Sequence, residues 1–387
     1  MRTSRYKIET PRACKDKIHG FLSVSTDFPA AARGPRQLDL RVSATTIARV
    51  PSLFTIKSEF RYKIVRKLAE GGMGVVYEAE QLGSRGFVKR VAIKVVRQSF
   101  ADNAQFIENF IGEARLVADL IHTNIVQTYQ LGETGGGYFI AMELIRGVNV
   151  EQLQHQLRDK QRELPPKLAI FLVSRVARGL AYAHAKCDRE GRELGIVHRD
   201  VNLKNIMVAF EGDVKLTDFG VAKARGFLPD NEGEIVAGRA DYMSPEQSSF
   251  DTTDRRSDIF SVGIALAHLL LGGNIFKGAN IEESRDRILN LPIPDFRRKN
   301  PAIDDRLNDI LRKALQRDRK LRYQDADTLL HDLEFYLYHD GYGPTNETLG
   351  KFIRELFGQE APKPLPDDPQ FKTIVLEETA RIQSRKS

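Results

Sequence analysis

Two short stretches near the middle of the chain decide the fold: His198-Arg199-Asp200-Val201-Asn202-Leu203-Lys204-Asn205 and Asp218-Phe219-Gly220. A carboxylate, an amide five positions later and a second carboxylate eighteen positions from the first can form a compact acidic centre. Such a centre can accept a hydroxyl proton, and its oxygens suit Mg²⁺, which usually keeps several of its waters. Short β-branched runs at 195–197, 206–208 and 214–216 predict that these polar side chains lie in turns between strands.

In this order and at this spacing, the two stretches resemble the catalytic and metal-binding loops of the eukaryotic-like protein kinases. The resemblance implies that Asp200 is the base that orients the substrate hydroxyl, and that Asn205 and Asp218 hold Mg²⁺. The alternative is that two unrelated polar turns share this order and spacing by chance, and further motifs along the chain argue against it.

A glycine-rich hairpin begins the folded part of the chain. Residues 62–68 alternate like a half-buried strand and lead into Ala69-Glu70-Gly71-Gly72-Met73-Gly74-Val75-Val76-Tyr77. Glycines let the backbone approach a ligand closely and offer N–H groups to phosphates. The hairpin resembles the kinase glycine-rich loop, although Ala69 stands where the first glycine is usual, so the pattern is weakened but not broken.

Val91-Ala92-Ile93-Lys94 reads as a strand that ends in a lysine, which in most proteins would simply face solvent. Here Lys94 resembles the lysine that contacts the α- and β-phosphates of ATP. Its expected partner is Glu113 on a helix predicted for residues 103–120, where the alternative is an ordinary exposed glutamate.

The strand at 138–145 resembles the fifth strand and hinge of the family, with Met142 at the back of the nucleotide pocket. The predicted catalytic residues are therefore Asp200, Lys94 and Asn205, and the predicted metal ligands are Asn205 and Asp218. The predicted nucleotide contacts are Leu68, Ala69, Glu70, Gly71, Gly72, Met73, Gly74, Val75, Val76, Ala92, Lys94, Glu113, Glu143 and Ile145.

The second half of the chain resembles the large lobe of the family. A core-type helical stripe begins at Pro166, where proline suits a first helical turn. The apolar run 259–271 predicts a buried helix. By resemblance, Asp258 caps that helix and braces the backbone at residues 198–200, and Arg322 pairs with Glu246.

Two departures from the family pattern stand near the predicted base. Asn202 replaces the lysine that steadies the transferring phosphate in most serine/threonine members, with Lys204 as a candidate substitute. Arg239 replaces the threonine that usually contacts that lysine and the catalytic aspartate. Two linked substitutions at one place suggest a rewired site.

The segment from 221 to 237 contains no Ser, Thr or Tyr, so it offers no phosphoacceptor of the usual kind. Asp230, Glu232 and Glu234 lie there instead. Our hypothesis is that one of them, with Glu234 the first candidate, pairs with Arg199 in place of a phosphate and orders the segment less firmly.

Composition narrows the function classes. Of the net charge of +7, residues 1–50 carry +6, from ten Lys/Arg and four Asp/Glu. The nearly neutral remainder argues against a nucleic-acid-binding core. The two cysteines give no disulfide framework or metal cluster, and no apolar run approaches the roughly 18 residues of a membrane span. These features predict a cytoplasmic location without a membrane span.

The predicted fold class is α+β, a two-lobed protein-kinase-like fold with a small β-rich N-lobe and a larger helical C-lobe. Residues 1–58 read as a basic, disordered arm, and 59–340 as the kinase domain with its lobes at 59–145 and 146–340. Residues 341–387 read as an extension with a short amphipathic helix at 347–357 and a flexible tail from 361.

The predicted function is a bacterial serine/threonine protein kinase that transfers the γ-phosphoryl of Mg·ATP to protein Ser or Thr hydroxyls. The predicted cofactors are ATP and Mg²⁺, the partners are protein substrates and no nucleic acid, and the oligomeric state stays open. The rival is a nucleotide-binding pseudokinase that acts as a scaffold or allosteric regulator. A small-molecule phosphotransferase is a third reading. It is disfavoured by the peptide-docking segment that resembles the family's and begins at Gly238, and by the closing motif Ser244-Pro245-Glu246.

Overall fold

A computed structural model of the chain describes residues 61–71, 74–96, 104–134, 137–219, 240–358 and 375–377. These residues form a β-rich lobe followed by a larger helical lobe, which confirms the predicted fold class. The basic arm at 1–58 and the segment 220–239 lie outside the described residues.

The β-rich lobe is built on one antiparallel sheet. Its strands are β1 (Arg61–Gly71), β2 (Gly74–Leu82), β3 (Val88–Val96), β4 (Thr128–Thr134), β5 (Gly137–Glu143) and β9 (Val375–Glu377), in the order β4-β5-β3-β2-β1-β9. Alternating side chains on these strands meet in a small core of Tyr62, Ile93 and Phe139. Helix α1 (Ala104–Ala118) packs Phe110 and Ala114 against a second cluster on the sheet.

Strand β9 differs from the predicted flexible tail. Val375–Glu377 pairs antiparallel with Arg61–Lys63 at the edge of the sheet. The many prolines between 361 and 369 predict a flexible tail, but the β-branched residues that follow them can extend an open sheet edge. These three residues therefore form a strand, and the flexible tail stays a prediction for the rest of 361–387, which lies outside the described residues.

The larger lobe consists mainly of helices packed round one hydrophobic core. They are α2 (Val150–Asp159), α3 (Pro166–His184), α4 (Pro245–Ser248), α5 (Arg255–Leu271), α6 (Ile281–Asn290), α7 (Asp305–Ala314), α8 (Ala326–Tyr338) and α9 (Asn346–Phe357). Helix α3 begins with proline at its first position, as predicted. Helix α5 is buried along almost its entire length, as its apolar sequence predicts.

A second, three-stranded sheet carries the polar turns of the centre. It consists of β6 (Gly147–Asn149), β7 (Ile206–Ala209) and β8 (Val214–Leu216) in the order β6-β7-β8. The predicted strands at 206–208 and 214–216 are confirmed, but 195–197 is irregular because Gly195 adopts φ +60°. The catalytic stretch 198–205 is thus preceded by a loop and followed by β7.

Candidate active site

Amide groups hold Asp200, the predicted base, from two sides. Nδ2 of Asn205 donates to Oδ2 of Asp200 at 2.6 Å, and Nδ2 of Asn202 donates to Oδ1 at 3.0 Å. Both amides also donate to the main-chain carbonyl of Asp200, at 2.8 Å and 3.1 Å respectively. Asp200 is 9% exposed, so these bonds fix the direction of a largely buried carboxylate.

Asn202 also organises the turn that carries Asn205. Its Oδ1 accepts the backbone N–H groups of Lys204 at 2.9 Å and of Asn205 at 3.3 Å, so it caps the 3₁₀ turn Leu203–Asn205. A lysine in this place has donors only and cannot accept these bonds. The sequence marks Asn202 as a departure, but this double role is visible only in the structure.

The backbone before Asp200 is held by a buried carboxylate. Asp258 accepts the N–H of His198 at 2.8 Å and of Arg199 at 2.7 Å, and Nε2 of His184 lies 2.8 Å from its Oδ2. The predicted bracing role is confirmed. The predicted capping role is wrong, because the N-cap of α5 is Asp254, four residues earlier.

Burial and neighbouring polar groups act in opposite directions on the pKa values of Asp258 and His198. Burial acts to raise the pKa of Asp258, but the hydrogen bonds from His184 and the His198 backbone hold it below its usual value. Burial lowers the pKa of His198, although the Asp258 and Asp200 carboxylates oppose the shift. His198 accepts the Asp200 N–H at Nδ1 and lies 2.9 Å from the Thr217 carbonyl through Nε2, which fits a neutral ring protonated at Nε2.

Lys94 and Asp218 meet across the centre. Nζ of Lys94 lies 2.6 Å from Oδ1 of Asp218, which places the predicted phosphate-binding cation beside the predicted metal ligand. Asp218 adopts φ +61°, an uncommon backbone conformation that aspartate tolerates better than bulkier residues. Glu113 lies on α1 as predicted, but its side chain lies outside what the structure describes, so the pairing with Lys94 stays a prediction.

A cavity of about 720 Å³ opens beside this centre. The predicted nucleotide contacts that line it are Leu68, Ala69, Val76, Ala92, Glu143 and Ile145. Lys94 lines a small adjoining cavity, and Met142 and Asp218 border both. Glu70 and Gly71 lie on β1, Gly74 and Val75 lie on β2, and Gly72 and Met73 lie outside the described residues.

The side chains fit the chemistry of magnesium. Asn205 uses its amide nitrogen on Asp200, which leaves the amide oxygen as the atom it can offer to a cation. The Thr217 N–H donates to the Asn205 carbonyl at 2.9 Å, so the backbone before Asp218 runs directly beside Asn205. One amide oxygen and one carboxylate agree with the usual Mg²⁺ coordination in kinases, where phosphates and waters complete the shell.

Arg199 and the closing motif connect to the rest of the larger lobe. Nε of Arg199 donates to Oγ1 of Thr253 at 3.2 Å, while Glu234, its hypothetical partner, lies outside the described residues. Arg322 lies 2.9 Å from Glu246 with both side chains buried, which confirms that predicted pair. Gln247 donates to the Arg199 carbonyl at 2.8 Å, so helix α4 is tied to the catalytic stretch.

Three arginines in the cavity wall, Arg66, Arg146 and Arg354, were not predicted from the sequence. Arg66 on β1 lines the cavity and lies 2.6 Å from Glu78. Arg354 on α9 also lines it. The alternation of side chains along β1 indicates only weakly that Arg66 lines the cavity. The helical pattern of 347–357 predicts α9 but not the place where the helix packs.

Comparisons with known proteins agree with this geometry. Residues 62–333 match the model of the protein kinase domain. The chain belongs to the protein kinase family. The match includes Lys94, Asp200, Asn205 and Asp218, and ends before helix α9.

Two curated relatives of this kinase domain come from bacteria. The chain is 35% identical over 299 residues to the tyrosine-protein kinase MasK of Myxococcus xanthus, covering 77% of this chain and 46% of that protein. It is 32% identical over 274 residues to the serine/threonine-protein kinase PrkC of Bacillus subtilis, covering 71% and 40%. The chain thus spans less than half the length of these two relatives, and their names place it among the bacterial eukaryotic-like kinases.

Solved structures show the same fold. The PknI kinase domain of Mycobacterium tuberculosis superposes with a TM-score of 0.54 at 25% identity, covering 72% of this chain and 98% of that one. Among the described residues of the present chain, no helix combines the length and apolarity that crossing a membrane requires.

Proposed function

We propose that this chain transfers the γ-phosphoryl group of Mg·ATP to hydroxyl groups of proteins. The observation that carries the proposal is a chain of contacts beside the cavity. Lys94 pairs with Asp218, which lines the cavity, and the neighbouring Thr217 bonds to Asn205, whose amide orients Asp200. Phosphoryl transfer depends mainly on positioning and on neutralising charge, which is the chemistry these groups supply.

Each residue has a separate task in this proposal. Asp200 accepts the proton of the attacking hydroxyl, and the amides of Asn202 and Asn205 keep its carboxylate aimed. Lys94 neutralises phosphate charge from β3. Asn205 and Asp218 would hold Mg²⁺, which when bound would supply positive charge next to the phosphates.

Serine and threonine are the proposed acceptors. The names of PrkC and PknL, a relative from Mycobacterium tuberculosis 32% identical over 274 residues, describe serine/threonine kinases, whereas the name of MasK describes a tyrosine kinase. The catalytic centre supports phosphoryl transfer to a hydroxyl group without selecting among serine, threonine and tyrosine. The experiment must therefore identify which type of side chain accepts the phosphoryl group. The cytoplasmic location stays a prediction.

The test is transfer of labelled γ-phosphate from Mg·ATP to the purified chain itself and to generic basic proteins, followed by phosphoamino-acid analysis. Label on serine or threonine supports the proposal, and label on tyrosine alone corrects the acceptor class. Nucleotide binding without transfer would favour the pseudokinase. Transfer to small molecules but to no protein would favour the small-molecule phosphotransferase.

A further inference from the structure

Helix α9 lies beyond the matched family region yet belongs to the folded domain. The family match ends at residue 333, whereas α9 covers Asn346–Phe357. Its apolar face, with Leu349, Ile353 and Leu356, is buried in the main core of the helical lobe. A capping box between Thr345 and Thr348 fixes where the helix begins.

The helix lies directly against the turn between β7 and β8. A Cβ atom on Gly212, which has φ +95°, would lie 1.7 Å from the Asn346 carbonyl oxygen. A Cβ atom on Gly350 would lie 2.6 Å from the Glu211 carbonyl oxygen. Nδ2 of Asn346 also donates to Oδ1 of Asp213 at 2.7 Å. Because the two backbones touch, movement of the helix must move the turn.

Arg354 extends this contact to the nucleotide cavity. Its Nη1 donates to the Phe210 carbonyl at 2.6 Å, and the Phe210 N–H donates to the Arg146 carbonyl at 2.9 Å. Arg146 directly follows the predicted hinge residue Ile145. Arg354, Phe210 and Arg146 all line the cavity, so the chain of contacts runs along its wall.

The C-terminal end of the helix is anchored separately. Lys160 and Gln156, at the end of α2, donate to the Leu356 carbonyl. Asn149, which caps the start of α2, itself lines the cavity. The helix therefore braces the cavity wall at two places, the β7–β8 turn and α2.

We propose that Arg354 is a positioning residue for nucleotide binding. Its hydrogen bond to the Phe210 carbonyl fixes the position of Arg146 at the end of the hinge, so that the hinge backbone has the geometry that fits adenine. Its bond is charge-assisted and therefore stronger than a bond between neutral groups. The inference rests on the proposed function, because it takes the ligand to be an adenine nucleotide. Asp200 is held by other contacts, so losing Arg354 weakens nucleotide binding more than the transfer step.

The test compares Arg354→Ala and Arg354→Lys with the wild type. Lys351→Ala is the matched control, because Lys351 is an exposed cation on the same helix. For each variant, calorimetry gives the affinity for Mg·ADP, steady-state kinetics give kcat and KM for ATP, and thermal unfolding gives Tm. Calorimetry needs no phosphoryl transfer, so binding is measured whether or not the chain is catalytically active.

We expect Arg354→Ala to weaken Mg·ADP binding and raise KM for ATP about threefold or more, the size of an indirect coupling. We expect kcat and Tm to stay near the wild-type values, Arg354→Lys to recover part of the affinity, and Lys351→Ala to match the wild type. If Arg354→Ala binds Mg·ADP with the wild-type affinity, the inference about Arg354 is overturned and the proposed function is not affected. A loss shared by Lys351→Ala, or one that merely follows a lowered Tm, also overturns it. Wild-type protein that binds no Mg·ADP overturns both this inference and the proposed function.

Discussion

Asn202 donates a hydrogen bond from Nδ2 to Oδ1 of Asp200 at 3.0 Å and accepts two backbone N–H groups through its own Oδ1. A residue that the family pattern marks as a missing lysine thus aims the proposed base and caps the turn of Asn205. The exchange of a charged donor for an amide is consistent with a rewired centre that keeps its geometry.

Removing this amide should reduce the rate of transfer. Asn202→Ala removes one of the two amides that aim the carboxylate and leaves the turn without its side-chain cap, at a cost of about 1–3 kcal/mol. We expect a roughly tenfold or greater fall in kcat with little change in KM for ATP. Steady-state kinetics with a protein substrate provide the measurement.

Asn202→Lys distinguishes geometry from charge at the same position. It restores the usual residue but cannot accept the Lys204 and Asn205 N–H groups. We expect its kcat to stay below the wild-type value. A kcat above that of the wild type would show that missing charge, rather than lost geometry, limits the rate of transfer.

The buried pair of Arg322 and Glu246 should dominate the stability of the closing motif. Burial acts to raise the pKa of Glu246, but the hydrogen bonds and charge of Arg322 hold it below its usual value. Arg322→Met leaves Glu246 buried without its main partner and should cost about 3–5 kcal/mol in urea unfolding. Arg192→Ala, which breaks an exposed pair with Asp188, should cost less than about 1 kcal/mol. Equal losses of unfolding free energy in the two variants would contradict the distinction between the buried and the exposed ion pair.

His268 should make stability depend on pH. Burial lowers its pKa from 6.5 to about 4, and its Nδ1 lies 2.6 Å from the Tyr242 hydroxyl. Between these two pH values the unfolded chain binds more protons than the folded one, so the free energy of unfolding falls as pH drops, by roughly 3 kcal/mol at most. His268→Gln should show a shallower fall in urea unfolding between pH 6.5 and 4. A variant with the wild-type slope would exclude His268 as the cause.

The contact between α9 and the β7–β8 turn should be sensitive to a single methyl group. Gly350→Ala forces a Cβ atom onto the Glu211 backbone, so we expect Tm to fall with a loss of about 1–3 kcal/mol. Gly112→Ala on α1 is the control, because a Cβ atom there meets nothing within 4 Å and alanine favours helix. A Gly350→Ala protein as stable as the wild type would show that the helix is loosely held.

The sequence was sufficient for the fold and for the Arg322 to Glu246 pair, whereas the Lys94 to Glu113 pair stays a prediction. The order and spacing of 198–205 and 218–220 predicted the two lobes, and the Arg322 to Glu246 pair followed from the same resemblance. The brace by Asp258 followed too, but its capping role did not, because Asp254 and Asp258 are both plausible N-caps one helical turn apart.

Tertiary contacts explain what the sequence missed. The helical period of 347–357 predicts an amphipathic helix that packs on the large lobe, but not which part of the lobe covers it. The position of Arg354 in the cavity wall could therefore not be foreseen. The role of Asn202 depends on the bend that returns Asn205 towards Asp200, which spacing alone does not show. The β-strand at 375–377 depends on an available edge of β1, far away in sequence.

The most direct test of the account is phosphoryl transfer by Asp200→Asn beside Asp327→Asn, a control that removes an exposed carboxylate at the start of α8. Both proteins are assayed with γ-labelled Mg·ATP, and Mg·ADP binding is measured for each. We predict that Asp200→Asn binds nucleotide but transfers at least about a hundredfold more slowly, the lower end of the range for general-base catalysis. The control should transfer at the wild-type rate. Transfer by Asp200→Asn at that same rate would contradict the assignment of this centre as the site of catalysis.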